Sequence, residues 1–143
     1  MLHGHTLIEL ALTLALLTIL VGVAVRPLSD LRDLAAVLSA REQLIGVITE
    51  ARATAVARGG ARLDIVPDSG AVRISNRGST VRVYFLGEFA RRVAWELPPA
   101  RARLRLTFDP VGIGRFASAT IRFRRGRVTR SVVVSTYGRV RRP

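Results

Sequence analysis

A chain of 143 residues without cysteine has room for one modest domain, and it excludes both a disulfide-stapled scaffold and any thiolate metal site. Its formal charge of +13 comes from 23 arginines and no lysine, set against 10 acidic residues. So one-sided a surface favours polyanions, such as nucleic acid or anionic lipid headgroups, over neutral partners. Twelve of the arginines lie from Arg101 onward, where Asp109 is the lone acid, so the excess is concentrated in the last third of the chain.

The first predicted element is a helix. No residue from Leu10 to Val25 is charged, and His5 to Val25 would span about 31 Å at 1.5 Å per residue, near the hydrocarbon thickness of a bilayer. Residues 5–27 are therefore expected to form a transmembrane helix. A secretory signal peptide cut near Val23-Ala24 is the competing reading, but its first segment should be basic, and Met1-Leu2-His3-Gly4 carries neither Arg nor Lys. Glu9 lies just inside the apolar run, where an unpaired buried carboxylate costs several kcal/mol, so it must find a partner or snorkel to the headgroups. Cleavage after Gly4 would create an α-amino group at His5, four residues from Glu9. The same group on a neighbouring subunit could neutralise the carboxylate when helices pack in register.

The segment Gly4-His5-Thr6-Leu7-Ile8-Glu9-Leu10, followed by the apolar helix, resembles the type III signal of type IV pilins and type II secretion pseudopilins. That resemblance implies a leader of residues 1–4, removed after Gly4 by a prepilin peptidase that also N-methylates His5. It makes Glu9 the carboxylate that guides subunit assembly. His5 stands where these proteins usually carry Phe. The resemblance also implies a bacterial inner-membrane protein of a single pass with its head in the periplasm. Arg26, Arg32 and Arg41 after the span would by count alone put the head in the cytoplasm; the motif, being far more specific, outweighs that count.

Pro27 predicts a kink, since it removes a backbone donor and crowds the preceding turn. Beyond it Leu31, Leu34, Leu38, Leu44 or Ile45, Ile48, Ala51 and Ala55 recur at helical spacing, which predicts an amphipathic helix over residues 28–60 ending at Gly59-Gly60. Residues 61–143 then switch to period two. Seven short strands are predicted, at 62–66, 71–75, 80–85, 92–97, 104–108, 120–124 and 128–135, separated by turn sequences such as Asp68-Ser69-Gly70 and Asn76-Arg77-Gly78. The fold class is α+β: a long N-terminal helix packed on an antiparallel sheet or sandwich.

One long helix followed by such a head resembles the GspH/FimT minor pseudopilins over the whole chain. The later marks are Thr49-Glu50-Ala51-Arg52-Ala53-Thr54-Ala55, Asp109-Pro110-Val111-Gly112 and Gly138-Arg139-Val140-Arg141. The resemblance implies a minor pseudopilin of a type II secretion or related type IV filament system, at or near the filament tip, with other pilins, prepilin peptidase and the inner membrane as partners.

Catalytic chemistry is not in evidence. Both histidines, His3 and His5, belong to the signal, the acids Asp64, Asp68, Glu88, Glu96 and Asp109 are scattered, and no metal-ligand spacing occurs. No enzyme activity, cofactor or metal is expected. The tail Tyr137-Gly138-Arg139-Val140-Arg141-Arg142 is the one binding candidate in the head. Alternation about Val140 would place Arg139 and Arg141 on one face of an extended strand, where forked guanidiniums engage phosphates. Arg122 and Arg124, with Arg125 and Arg127, could extend the track, and Tyr137 could stack on a base. The tail is similar to the Gly-Arg-x-Arg element of FimT-like pilins, which implies an alternative function: double-stranded DNA binding on a competence pilus through Gly138, Arg139 and Arg141. Against it stands a final strand whose arginines are solvated or paired with acids.

Overall fold

The computed structural model describes residues 6–86, 92–97 and 102–143, with the side chains of residues 23–27 excepted. Gly4, His5 and Glu88 lie outside the described residues. A single helix, α1, runs from Leu7 to Arg58, and passes through position 27 without a break in helical assignment. The chain forms two compact units, one up to Arg32 and one from Asp33 to Pro143.

In the first unit, the helix leaves large apolar side chains exposed around its circumference, from 54% at Leu16 to 91% at Leu7. Its threonine hydroxyls bond back to the helix: Thr13 Oγ1 donates to the Leu10 carbonyl at 2.9 Å and Thr18 Oγ1 to that of Leu14 at 2.7 Å. Such back-bonding satisfies a hydroxyl without water. Among the described residues no helix is long and apolar enough to cross a membrane.

In the second unit, the helix buries Val37, Ala40, Leu44, Val47, Ile48, Ala51 and Ala55. The predicted stripe holds from Leu44 onward and differs before it. Leu31 is 62% exposed, while Leu34 and Leu38 are only partly buried. Stepping back from Leu44 by four and seven residues reaches Ala40 and Val37, the positions that continue the buried face at 3.6 residues per turn. The larger leucines lie off that line. The helix ends on Gly59 and Gly60, both at positive φ, with the Gly60 N–H donating to the Ala55 carbonyl at 2.7 Å, an αL termination that glycine adopts without a Cβ clash.

Two four-stranded antiparallel sheets follow. The first comprises β1 (Ala61–Val66), β2 (Ala71–Asn76), β3 (Ser79–Phe85) and β5 (Leu104–Phe108), in the order β3-β2-β1-β5. The second comprises β4 (Ala94–Glu96), β6 (Ala119–Arg125), β7 (Val128–Val134) and β8 (Val140–Arg141), in the order β4-β6-β7-β8. Alternation sets the inward faces: Leu63 and Ile65 of β1, Val72 and Ile74 of β2, Leu106 and Phe108 of β5, Ile121 and Phe123 of β6, and Val132 and Val134 of β7 form one core with the helix stripe. No polar or charged side chain is fully buried among the described residues. The predicted 92–97 strand is confined to Ala94–Glu96, and an eighth strand of two residues is added at the tail.

Candidate functional site

Glu9 sits in the first turn of α1, where a carboxylate is favoured by the partial positive charge of the helix N-terminus. Its backbone N–H donates to the Thr6 carbonyl at 3.0 Å, starting the helix at the motif itself.

The C-terminal candidates are positioned by a tight turn. The Gly138 N–H donates to the Ser135 carbonyl at 2.8 Å, and the Ser135 N–H donates to the Arg139 carbonyl at 2.9 Å. Gly138 has φ +82°, and a Cβ there would lie 2.9 Å from Cε1 of Phe108. Glycine is therefore needed for backbone conformation and for close approach to the core. Strand β8 begins only at Val140, paired with Val134, while Arg141 pairs with Val133.

This register separates the tail arginines. Val134 is buried, so Val140 faces inward, Arg141 faces outward and Arg142 turns back toward the helix. Arg142 Nη2 meets Glu42 Oε2 at 2.9 Å, and that hydrogen bond, ahead of the weaker one from Arg41, holds the Glu42 carboxyl below its ordinary value. Arg139 lies in the turn, outside β8, and joins Arg142, Tyr137 and Val140 in lining a cleft of 540 Å³ against Ile45, Thr49 and Arg52 of the helix. Arg141 does not line it. Arg139 thus precedes β8, in the turn that Gly138 at positive φ introduces, and is not part of a strand that holds both arginines as alternation about Val140 predicts.

Arg122 and Arg124 are exposed on the outer face of β6, the face that Arg141 also joins through the register Thr120↔Val133↔Arg141. Arg124 Nε lies 3.3 Å from Glu96 Oε1, and Arg125 Nε lies 2.7 Å from Asp33 Oδ1 on the helix.

The loop after β5 is organised by Asp109. Its Oδ1 accepts from the N–H groups of Val111 at 3.0 Å and Ile113 at 2.8 Å, and its Oδ2 pairs with Arg115 Nε at 3.3 Å. The Ile113 N–H chiefly lowers the Asp109 pKa, with further lowering from Val111 and Arg115. The loop is tied to the helix where Arg52 Nε donates to the Gly112 carbonyl at 3.1 Å, and to the tail where the Gly114 N–H donates to the Tyr137 carbonyl at 3.1 Å. Of the three later sequence marks, Thr49 to Ala55 thus touches Asp109 to Gly112 and shares a cleft with Gly138 to Arg141. Glu42 is the residue that sequence reasoning missed, with no local signal beyond its charge, and Arg52, although within the Thr49 to Ala55 mark, is given no role by that reasoning.

A lowered folded pKa means that Asp109 contributes stability above the unfolded value, about 3.9, and loses it as pH falls through the lower folded value. The melting-temperature difference between the native chain and Asp109→Ala should accordingly be full at about pH 6 and shrink below about pH 3. A difference independent of pH would show that the carboxylate charge is not what fixes this loop.

A second carboxylate, Glu50, accepts from Arg82 Nη1 at 2.8 Å and from the Tyr84 hydroxyl. Burial, followed by the hydrogen bond to Glu50, raises the Tyr84 pKa. Among the described residues no group of His, Asp or Glu side chains could hold a metal ion.

No protein-family model and no curated protein matches this sequence. Solved structures do match. The type IV minor pilin FimU of Pseudomonas aeruginosa superposes with a TM-score of 0.61 at 21% identity, over 75% of this chain and 87% of that one. A second crystal form of FimU gives 0.56 at 18% identity, over 74% and 91%. With its N-terminal helix packed on an antiparallel β head, this chain has the type IV pilin fold.

Proposed function

We propose that this chain is a pilin-like filament subunit of the minor, GspH/FimT kind, serving a type II secretion or related type IV filament system. One observation carries the reading: a continuous 52-residue helix whose first turns carry Glu9 and whose large apolar side chains stay exposed from Leu7 to Val21. That much apolar surface demands cover. In this reading residues 5–27 lie in the inner membrane before assembly and against neighbouring helices afterwards, and the head stands in the periplasm near the filament tip. Prepilin peptidase cleaves after Gly4 and methylates His5, and the amino group so released on one subunit pairs with Glu9 of the next.

Co-expression with a prepilin peptidase tests it. Mass spectrometry should find a mature chain that starts at His5, and Glu9→Ala should still be cleaved while its recovery in sheared filaments falls by about tenfold or more, the scale of an uncompensated buried charge. An intact Met1, or cleavage near Ala24, would refute the pilin reading; normal incorporation of Glu9→Ala would remove Glu9 from assembly.

The shared outward face of Arg122, Arg124 and Arg141 favours a second reading, in which sheet β4-β6-β7-β8 presents these guanidiniums to the backbone of double-stranded DNA. Such binding should ignore sequence and fall with salt by a log-log slope of about 0.9 per phosphate engaged.

A further inference from the structure

Of the chain's 23 arginines and 10 acids, 21 and eight respectively follow Arg32, so the whole excess of +13 belongs to the second unit. Most of those acids are already engaged. Asp33, Glu42, Glu50, Asp64, Glu96 and Asp109 each pair with an arginine of the same head. A contact between two copies of this head would therefore set surplus guanidiniums against one another, an unfavourable juxtaposition of like charges. A partner suited to this surface is a different chain, rich in carboxylates.

The cleft between the helix and the C-terminal turn fits such a partner. Arg52, Arg139 and Arg142 line it and no acid does, while Ile45 and Val140 give it apolar walls and the 74%-exposed Tyr137 flanks it. Its arginines differ in availability. Arg142 already holds a carboxylate, Glu42, at 2.9 Å, which shows that this wall receives one in hydrogen-bonding geometry. Arg52 spends its Nε on the Gly112 carbonyl, and among the described residues its terminal nitrogens form no ion pair. Arg139 forms no ion pair among the described residues. Forked guanidiniums above apolar walls suit an extended peptide that alternates carboxylate and apolar side chains. A DNA duplex presents its phosphates on a convex rod and would ride over a recess of 540 Å³ rather than fill it.

We propose that this cleft docks an acidic, extended segment of a different protein chain, with Arg139 as its principal carboxylate receptor. The proposal deepens the filament-subunit reading by naming the chemistry of a neighbour, and its test needs no filament, so the two can fail separately.

The test is a fluorescence-anisotropy titration of the full chain in detergent micelles, using a labelled octapeptide of alternating Glu and Leu. An otherwise identical Gln/Leu peptide, an unlabelled 20-base-pair duplex as competitor, and the variants Arg139→Ala, Arg139→Glu and Arg62→Ala complete it. The Glu/Leu peptide should saturate the chain at about 50 mM salt. Arg139→Ala should weaken it about tenfold, the worth of one charge-assisted pair, and Arg139→Glu more. Arg62→Ala, on the exposed face of β1, should change it less than twofold. The proposal fails if the peptide does not bind, if the Gln/Leu peptide binds equally, or if Arg62→Ala weakens binding as much as Arg139→Ala. It also fails if the duplex binds more tightly in an Arg139-dependent manner, which would make nucleic acid the occupant. Among the described residues the Arg139 side chain supports no ion pair, so its variants should melt with the native protein, and circular dichroism checks that they do.

Discussion

Replacing Phe108 with alanine should cost the head about 3–5 kcal/mol, much of the 5–15 kcal/mol that stabilises a domain of this size. Phe108 is 1% exposed and is among the largest fully buried side chains. It closes β5, pairs in register with Ala61, packs edge-on to Phe116 at 5.7 Å, and its ring lies beneath Gly138. Truncation would empty the point where the helix end, β5 and the C-terminal turn meet, and a backbone held from three sides cannot collapse into the void. Urea unfolding of the full chain would record the loss as a lower midpoint with an unchanged slope. A shift worth less than about 1 kcal/mol would mean that this junction is not part of the cooperative core.

Gly114→Ala should be nearly as damaging, by about 2–3 kcal/mol, for the opposite reason of overpacking. A Cβ at position 114 would lie 2.6 Å from Phe116 Cε1, 2.7 Å from the Gly138 nitrogen and 2.8 Å from the Thr136 carbonyl oxygen. The Phe116 ring could move, but the other two atoms are backbone of the turn that fixes Arg139. The alanine must therefore displace the tail. The expected signature is a loss of stability together with weaker binding of the Glu/Leu peptide, as the cleft loses its wall. Retained peptide affinity in a destabilised variant would show that the turn and the cleft are uncoupled.

Three segments singled out in the sequence are tied together by the fold. Arg52 holds the Gly112 carbonyl, the Gly114 N–H holds the Tyr137 carbonyl, and Gly138 sits over Phe108. These residues lock loop, helix and tail to one another. Gly138 is accounted for by packing and Arg142 by its ion pair with Glu42, without appeal to a ligand; Arg139 and Arg141 are not.

Local periodicity made most of the elements legible. The strands at 71–76, 79–85, 104–108, 119–125 and 128–134 begin and end within about one residue of the expected runs, because a half-buried strand must alternate and its turns need Gly, Asn, Asp or Pro. Local pattern gave less where side-chain size competed with phase. Leu31 and Leu38 suggest a stripe that Val37 and Ala40 actually form, since helix geometry, and not bulk, decides which side faces the sheet.

By itself the sequence determined the long helix with its apolar first half, the β-rich remainder and the basic excess, all properties of neighbouring residues or of composition. Only the tertiary structure decided the rest. It placed β5 beside β1, set Arg142 against Glu42 across 100 positions and Arg52 against Gly112 across 60, and left Arg139 in the turn before β8. The physical reason is that a charge has no local period. An arginine's partner is fixed by which strands the core pairs and by where one glycine at positive φ turns the chain.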